Sequence, residues 1–153
     1  MSDIRIVPLT EALLPALFAY ERCLSEEEPG FYRWTEEPDY EDAVRRSFAD
    51  ARFAASISLV ALAEDGIVGR IDAALIPSHF DGSVKAYLDW ICVLKSRRHR
   101  GVAQRLMQAL REQLHEMGVD TLVGLIAANE EAQRFYRGLQ DAMIRDEGIW
   151  IDC

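Results

Sequence analysis

From residue 87 to 106 the chain reads Tyr-Leu-Asp-Trp-Ile-Cys-Val-Leu-Lys-Ser-Arg-Arg-His-Arg-Gly-Val-Ala-Gln-Arg-Leu. A strand-like apolar run passes into a basic loop, a glycine and a helical pattern. A helix start leaves its first backbone N–H groups without intrahelical partners and carries the positive end of the helix dipole, so this junction suits a phosphate. Gly101 lets the backbone approach an oxygen closely, Ala103 is too small to block it, and Arg97, Arg98 and Arg100 add positive field. The sequence contains no G-x-x-x-x-G-K-[ST] and no G-x-G-x-x-G, which sets aside the P-loop and dinucleotide fingerprints.

One strand further on comes Asn129-Glu130-Glu131-Ala132-Gln133-Arg134-Phe135-Tyr136. Together with Arg98-x-x-Gly101-x-Ala103, in that order and at that spacing, this segment resembles the GNAT acetyltransferase superfamily. The resemblance implies acetyl-CoA as cosubstrate, with no metal. It implies that backbone amides of Arg98, His99, Arg100, Gly101, Val102 and Ala103 hold the pyrophosphate, and that Ile91, Cys92 and Val93 pair with the pantetheine arm much as a neighbouring strand would. Asn129 is then expected to contact the pantetheine from the far side of a cleft between two splayed central strands, with Tyr136 pointing towards the sulfur. The implied activity is N-acetyl transfer to a primary amine, a small molecule in preference to a protein, by direct attack in a ternary complex. A non-catalytic acetyl-CoA-binding or protein-interaction module of the same fold is the alternative. The family's usual Gly-Phe pair is missing after Phe135-Tyr136-Arg137-Gly138-Leu139, and the closing segment is short. That leaves a strand edge which a second copy could cover as a homodimer.

Amine acetylation needs a neutral nucleophile. A lysine-like amine with a reference pKa near 10.4 gives up its proton at pH 7 at a cost of about 4.6 kcal/mol. A carboxylate beside it can take that proton, and Asp89, on the strand leading into the loop, is the first candidate; a solvent-facing position or a structural ion pair is its alternative role. The resemblance also makes Glu26, Glu27 and Glu28 candidates for guiding an amine, since the loop between the first two helices borders the acceptor site in the family; a solvated acidic loop is their alternative role. Tyr136, a phenol with a reference pKa near 10, can donate a hydrogen bond to a departing thiolate. Cys92 has no histidine beside it and reads as a small core residue, which favours direct attack over an acetyl-cysteine route. Trp90 and the aromatic loop Phe31-Tyr32-Arg33-Trp34 are candidate walls of an acceptor pocket or core residues. His79, His99 and His115 lack metal-ligand spacing.

These residues need a scaffold that the periodicities describe. Residues 4–7 alternate as a strand. Leu14, Leu17, Phe18 and Leu24 recur at helical spacing, and Asp39 opens a second helix carrying Val44, Phe48 and Ala51. Runs 57–63 and 67–76, split by Glu64-Asp65-Gly66, predict a hairpin, and 84–94 a third long strand. A helix from about Gly101 presents Ala103, Leu106, Leu110, Leu114 and Met117, with Gly118 at its cap. Residues 121–127 predict a strand covered on both faces, Asn129 starts another helix, and 142–145 with 149–152 predict a closing hairpin. The order β-α-α-β-β-β-α-β-α-β-β implies a single α/β domain over 1–153, its mixed, mostly antiparallel sheet holding a central splayed parallel pair.

Composition agrees. The 153 residues are 50% hydrophobic, enough for one continuous core. A formal net charge of −9 disfavours nucleic acid and favours encounter with cations such as amines. No basic leader or bilayer-length apolar run stands out, so the expectation is a cytoplasmic protein without a membrane partner. Three widely spaced cysteines, Cys23, Cys92 and Cys153, argue for reduced thiols.

Overall fold

The computed structural model describes residues 3–153 and divides into two compact units, one ending at Val123 and one spanning Gly124–Cys153. The strands are β1 (Arg5–Pro8), β2 (Ser56–Ala63), β3 (Gly66–Pro77), β4 (Val84–Val93) and β5 (Leu122–Gly124). They form one sheet in the order β1-β2-β3-β4-β5, antiparallel throughout except for the parallel pair β4 and β5. The helices are α1 (Leu14–Glu27), α2 (Tyr40–Ser47), α3 (Val102–Glu116) and α4 (Glu130–Arg137). Among the described residues no helix is long and apolar enough to cross a membrane.

Two neighbouring residues of β3 show how the helices are layered. A Cβ at Gly69 would stand 3.2 Å from Leu106 Cδ1 on α3, whereas the Arg70 guanidinium reaches Glu21 on α1. Adjacent strand residues point to opposite faces, so α1 and α3 cover opposite sides of the sheet. Pro15 occupies the first turn of α1, where its missing N–H costs nothing, and the helix buries Leu14, Leu17, Phe18, Tyr20, Glu21 and Leu24. On the other face α3 buries Leu106, Leu110 and Leu114, together with Val102 and Met107; each such side chain stabilises the fold by about 1.5–3 kcal/mol. Met117, expected on that stripe, is 48% exposed because it falls at the helix end. Gly118 stops the helix at φ +75°, its N–H donating to the His115 carbonyl at 3.0 Å.

The register between β3 and β4 carries a β-bulge that sequence alternation hides. Asp72 lies opposite Trp90 and Ala73 opposite Leu88, so Asp89 is the extra residue. The extra residue reverses the parity of the strand. Ala86 and Leu88 are buried before it and Val93 after it, and Asp89 itself is exposed.

In the second unit α4 forms as expected, but no strand follows it: the closing hairpin expected at 142–145 and 149–152 is absent among the described residues. Ile149, Trp150 and Ile151 are 82%, 77% and 72% exposed. Two four-residue segments do not hold as an isolated hairpin without a further strand to pair with. The strand expected over 121–127 is likewise confined to Leu122–Gly124, with Val123 49% exposed. Its apolar residues favour a strand, but its length is set by the non-local edge it meets.

Candidate active site

The candidate residues of the first unit follow one another along a single path. Asp89 stands at the bulge, and Ile91, Cys92 and Val93 complete β4. With three residues in β5 against ten in β4, most of the β4 edge facing away from β3 has no strand partner among the described residues. Side chains reach two carbonyls of this strand: Tyr20 Oη–H donates to the Cys92 oxygen at 2.9 Å, and Arg98 Nε–H to the Val93 oxygen at 3.0 Å. The Cys92 thiol lies 3.4 Å from the Tyr32 hydroxyl, and burial pushes its pKa up. It is held as a thiol, poor in nucleophilicity.

From β4 the chain makes the short 3-10 turn Lys95–Arg97 and then two residues in the left-handed region, His99 at φ +60° and Gly101 at φ +78°. Gly101 is the N-cap of α3 and offers no side-chain cap. The first helical bond runs from Arg105 N–H to the Gly101 oxygen at 3.0 Å, so the N–H groups of Val102, Ala103 and Gln104 precede it without intrahelical acceptors. A Cβ at Gly101 would meet nothing within 4 Å, so the backbone faces open space. Such a cradle of main-chain donors suits an anion.

The arginines divide differently from the sequence expectation. Arg97 pairs with Asp65, and Arg98 turns inward to Glu28, Nη2 to Oε2 at 2.6 Å. Burial pushes the Glu28 carboxyl up, but hydrogen bonds from Arg98 and Tyr32 outweigh it and hold the group below its usual range. Arg98 therefore ties the end of α1 to β4 and the loop, and its backbone, more than its charge, is what it presents. Arg100 and His99 are exposed.

On the α1 face lies a cavity of about 1180 Å³, bounded by α1, α2 and β2 to β4. Asp89 and Trp90 line it from the bulge, and Trp34, Tyr40 and Tyr87 bring further rings. The Trp34 and Trp90 rings meet edge to face at 5.0 Å, with Tyr32 packed against both. Phe31, by contrast, is 75% exposed. Of the acidic loop, Glu28 is committed to Arg98, and Glu27 receives the Ser96 N–H at 3.3 Å.

The cavity wall also contains an ion network that sequence reasoning missed. Arg70 donates through Nη1 to Glu21 Oε1 at 2.9 Å, through Nε to Asp72 Oδ2 at 2.7 Å and through Nη2 to Asp72 Oδ1 at 2.8 Å. Tyr40 donates to Glu21 Oε1 at 2.6 Å, and Ser58 to Asp72 Oδ1 at 2.5 Å. Burial first, against hydrogen bonds from Tyr40 and Arg70, raises the Glu21 carboxyl above its ordinary range. The signals existed. Glu21 falls on the buried stripe of α1 between Leu17 and Leu24, and Arg70 and Asp72 flank Ile71 on the same face of an otherwise apolar strand.

The remaining candidates belong to the second unit. Asn129 is the N-cap of α4, its Oδ1 accepting the Ala132 N–H at 2.8 Å. Tyr136 is half-buried, its ring 5.2 Å from that of Phe135.

A model of the acetyltransferase (GNAT) family matches residues 19–139. No curated protein matches the sequence. Solved structures do. The chain is similar to an aminoglycoside acetyltransferase, HMB0005, from an uncultured soil metagenomic sample, at TM-score 0.78 and 18% identity over 99% of this chain and 97% of that one. It is similar to the ribosomal-protein-alanine N-acetyltransferase of Brucella melitensis biovar Abortus 2308, at TM-score 0.74 and 18% identity over 99% of each chain. It is also similar to AAC(6')-Iy bound to the bisubstrate analogue CoA-S-monomethyl-acetylneamine, at TM-score 0.74 and 21% identity over 99% of this chain and 100% of that one. At these identities the likeness is one of fold.

Proposed function

Because this chain belongs to the acetyltransferase (GNAT) family, we propose that it transfers an acetyl group from acetyl-CoA to a primary amine of a small molecule. The observation that carries this reading is the layout of β4: one strand sets Asp89 in the cavity wall, offers Ile91, Cys92 and Val93 along a largely unpartnered edge, and delivers the chain to the open helix start at Gly101. An aromatic-walled cleft of about 1180 Å³ is of a size to take a small acceptor. Its wall carries four carboxylates, Glu21, Asp50, Asp72 and Asp89; Arg70 is paired with Glu21 and Asp72 and Arg52 with Asp50, which leaves a negative excess that favours a cationic amine.

Bound acetyl-CoA supplies the activated acetyl group. Main-chain N–H groups of Arg98, His99, Arg100, Gly101, Val102 and Ala103 hold its pyrophosphate, and the β4 edge holds its pantetheine. Asn129, with Oδ1 committed to the helix cap, contributes its amide Nδ2. Asp89 takes the proton of the acceptor ammonium, directly or through a water, and Tyr136 donates a hydrogen bond to the sulfur. Cys92 stays a bystander, because its buried thiol favours the protonated form, so transfer is direct within a ternary complex.

Residues 1–153 act in this reading as one acetyltransferase domain, able to pair with a second copy. The test is to mix purified protein with acetyl-CoA and a panel of amines, following free thiol and acetylated product together. Stoichiometric release supports the enzyme. Cofactor binding without product on any amine leaves a non-catalytic acetyl-CoA module instead.

A further inference from the structure

Glu28 is a carboxylate without a part in acetyl transfer, set beside a loop that suits an anion. By charge alone it would weaken binding there, so what it can contribute is geometry. It lies outside the cavity lining. α1 ends at Glu27, and Glu28, its C-cap, leaves the helix at φ −138° and ψ 72°. There it meets Arg98, 70 residues further along the chain, in a two-point pairing: Nη1 donates to Oε1 at 3.2 Å and Nη2 to Oε2 at 2.6 Å. Tyr32 Oη–H donates to Oε2 at 2.9 Å, and Arg98 Nε–H reaches back to the Val93 carbonyl at 3.0 Å. The guanidinium is thereby fixed both to the end of α1 and to the last residue of β4.

The backbone that follows needs such an anchor. His99, the next residue, is at φ +60°, where a residue with a Cβ seldom lies, and Gly101 is at φ +78°. A backbone of this kind persists only where its surroundings fix it, and main-chain donors serve an anion best when they are already in place before it arrives. Resting on the acetyl-transfer reading, we infer that Glu28 is a positioning residue for the cofactor: by gripping Arg98 it holds the loop 98–103 in the shape in which its N–H groups converge on the diphosphate. Two neighbouring contacts brace the same turn, Ser96 N–H on Glu27 Oε2 at 3.3 Å and Arg97 on Asp65. Asp65 is 62% exposed, whereas the side chains of Arg98 and Glu28 are 17% and 18% exposed, so the Glu28 pair is the one that solvent screens least. The charge of Arg98 is neutralised by Glu28, and its planar fork is what the loop uses.

NMR titration gives the Kd of CoA, and of pantetheine, which lacks the diphosphate, for the unaltered protein and for Glu28→Gln. The variant keeps the side-chain shape and removes the charge and one accepting oxygen. The Kd of CoA is expected to rise about tenfold, as loss of a charged hydrogen bond predicts, while that of pantetheine stays within about twofold. Equal CoA affinity in the two proteins, or an equal loss for both ligands, overturns the assignment. Arg98→Lys keeps the cation and loses the fork, and it decides the matter if Glu28→Gln does not fold. A selective loss of CoA affinity supports positioning; affinity preserved by lysine gives the arginine's part to charge and overturns it. Trypsin supplies a readout free of any ligand. In Glu28→Gln without CoA, cleavage after Arg100 is expected to quicken about tenfold relative to cleavage after Arg52, whose side chain is 87% exposed, and an unchanged ratio overturns the inference. Failure of the unaltered protein to bind CoA would count against the acetyl-transfer reading, and the trypsin ratio would then decide by itself whether Glu28 holds the loop.

Discussion

Replacing Arg70 with methionine keeps most of the side-chain volume and removes the only cation between two buried carboxylates. Arg70, Glu21 and Asp72 have side-chain exposures of 16%, 4% and 16%, so solvent screens them weakly. At N–O separations of 2.9 and 2.7 Å, each attraction is worth about 6 kcal/mol gross at an effective dielectric near 20, most of which offsets the cost of desolvating the groups. Deleting the cation leaves that cost uncovered, and the expected loss is about 3–5 kcal/mol, a large part of the roughly 5–15 kcal/mol that holds a domain together. Urea unfolding followed by tryptophan fluorescence measures it, since Trp34 and Trp90 line the same cavity. The pH dependence adds a sign. Burial raises the Glu21 pKa, so the native state binds a proton that the unfolded chain releases, and the stability linked to that proton is present in acid and lost as pH rises through the folded value. Without Arg70 that value moves higher, so the gap between the two proteins widens from acid to neutral pH. A loss under about 1 kcal/mol, or a gap independent of pH, would refute the reasoning.

Other expectations concern the site directly. Asp89→Asn flattens the alkaline-side rise in rate, and an unaltered pH–rate profile removes Asp89 as the base. Tyr136→Phe lowers turnover about tenfold to a hundredfold with little change in CoA affinity, and unchanged kcat removes it from the mechanism. For Glu28, whose carboxyl is lowered by Arg98 and Tyr32 against the opposing effect of burial, the stabilising contribution is present above the ordinary carboxylate range and lost as pH falls through the lowered value. Glu28→Gln should therefore lower Tm at neutral pH and converge with the unaltered protein in strong acid; parallel curves would contradict the pairing.

The features legible in the sequence are those encoded locally. The amphipathic period of α3, its flanking glycines and the asparagine before α4 each act within a turn or two of their own position, and each appears where its pattern places it. The Glu21–Arg70 pair, 49 residues apart in the chain, depends on how α1 lies across β3, and no local period reports that. The bulge at Asp89 is likewise a property of register between two strands, visible only once Asp72 is seen opposite Trp90. The closing hairpin failed for a related reason: Ile149, Trp150 and Ile151 have strand-forming side chains, but a strand also needs a partner edge. Asn129 has the expected residue type in the expected place, and its cap bond to Ala132 explains that position whether or not pantetheine is bound.

Hydrogen exchange with and without CoA tests the central claim at the level of single amides. Slowed exchange is predicted at Val102, Ala103 and Gln104 and along the β4 edge at Ile91 and Val93. Protection confined to other segments, or none at saturating CoA, would contradict it.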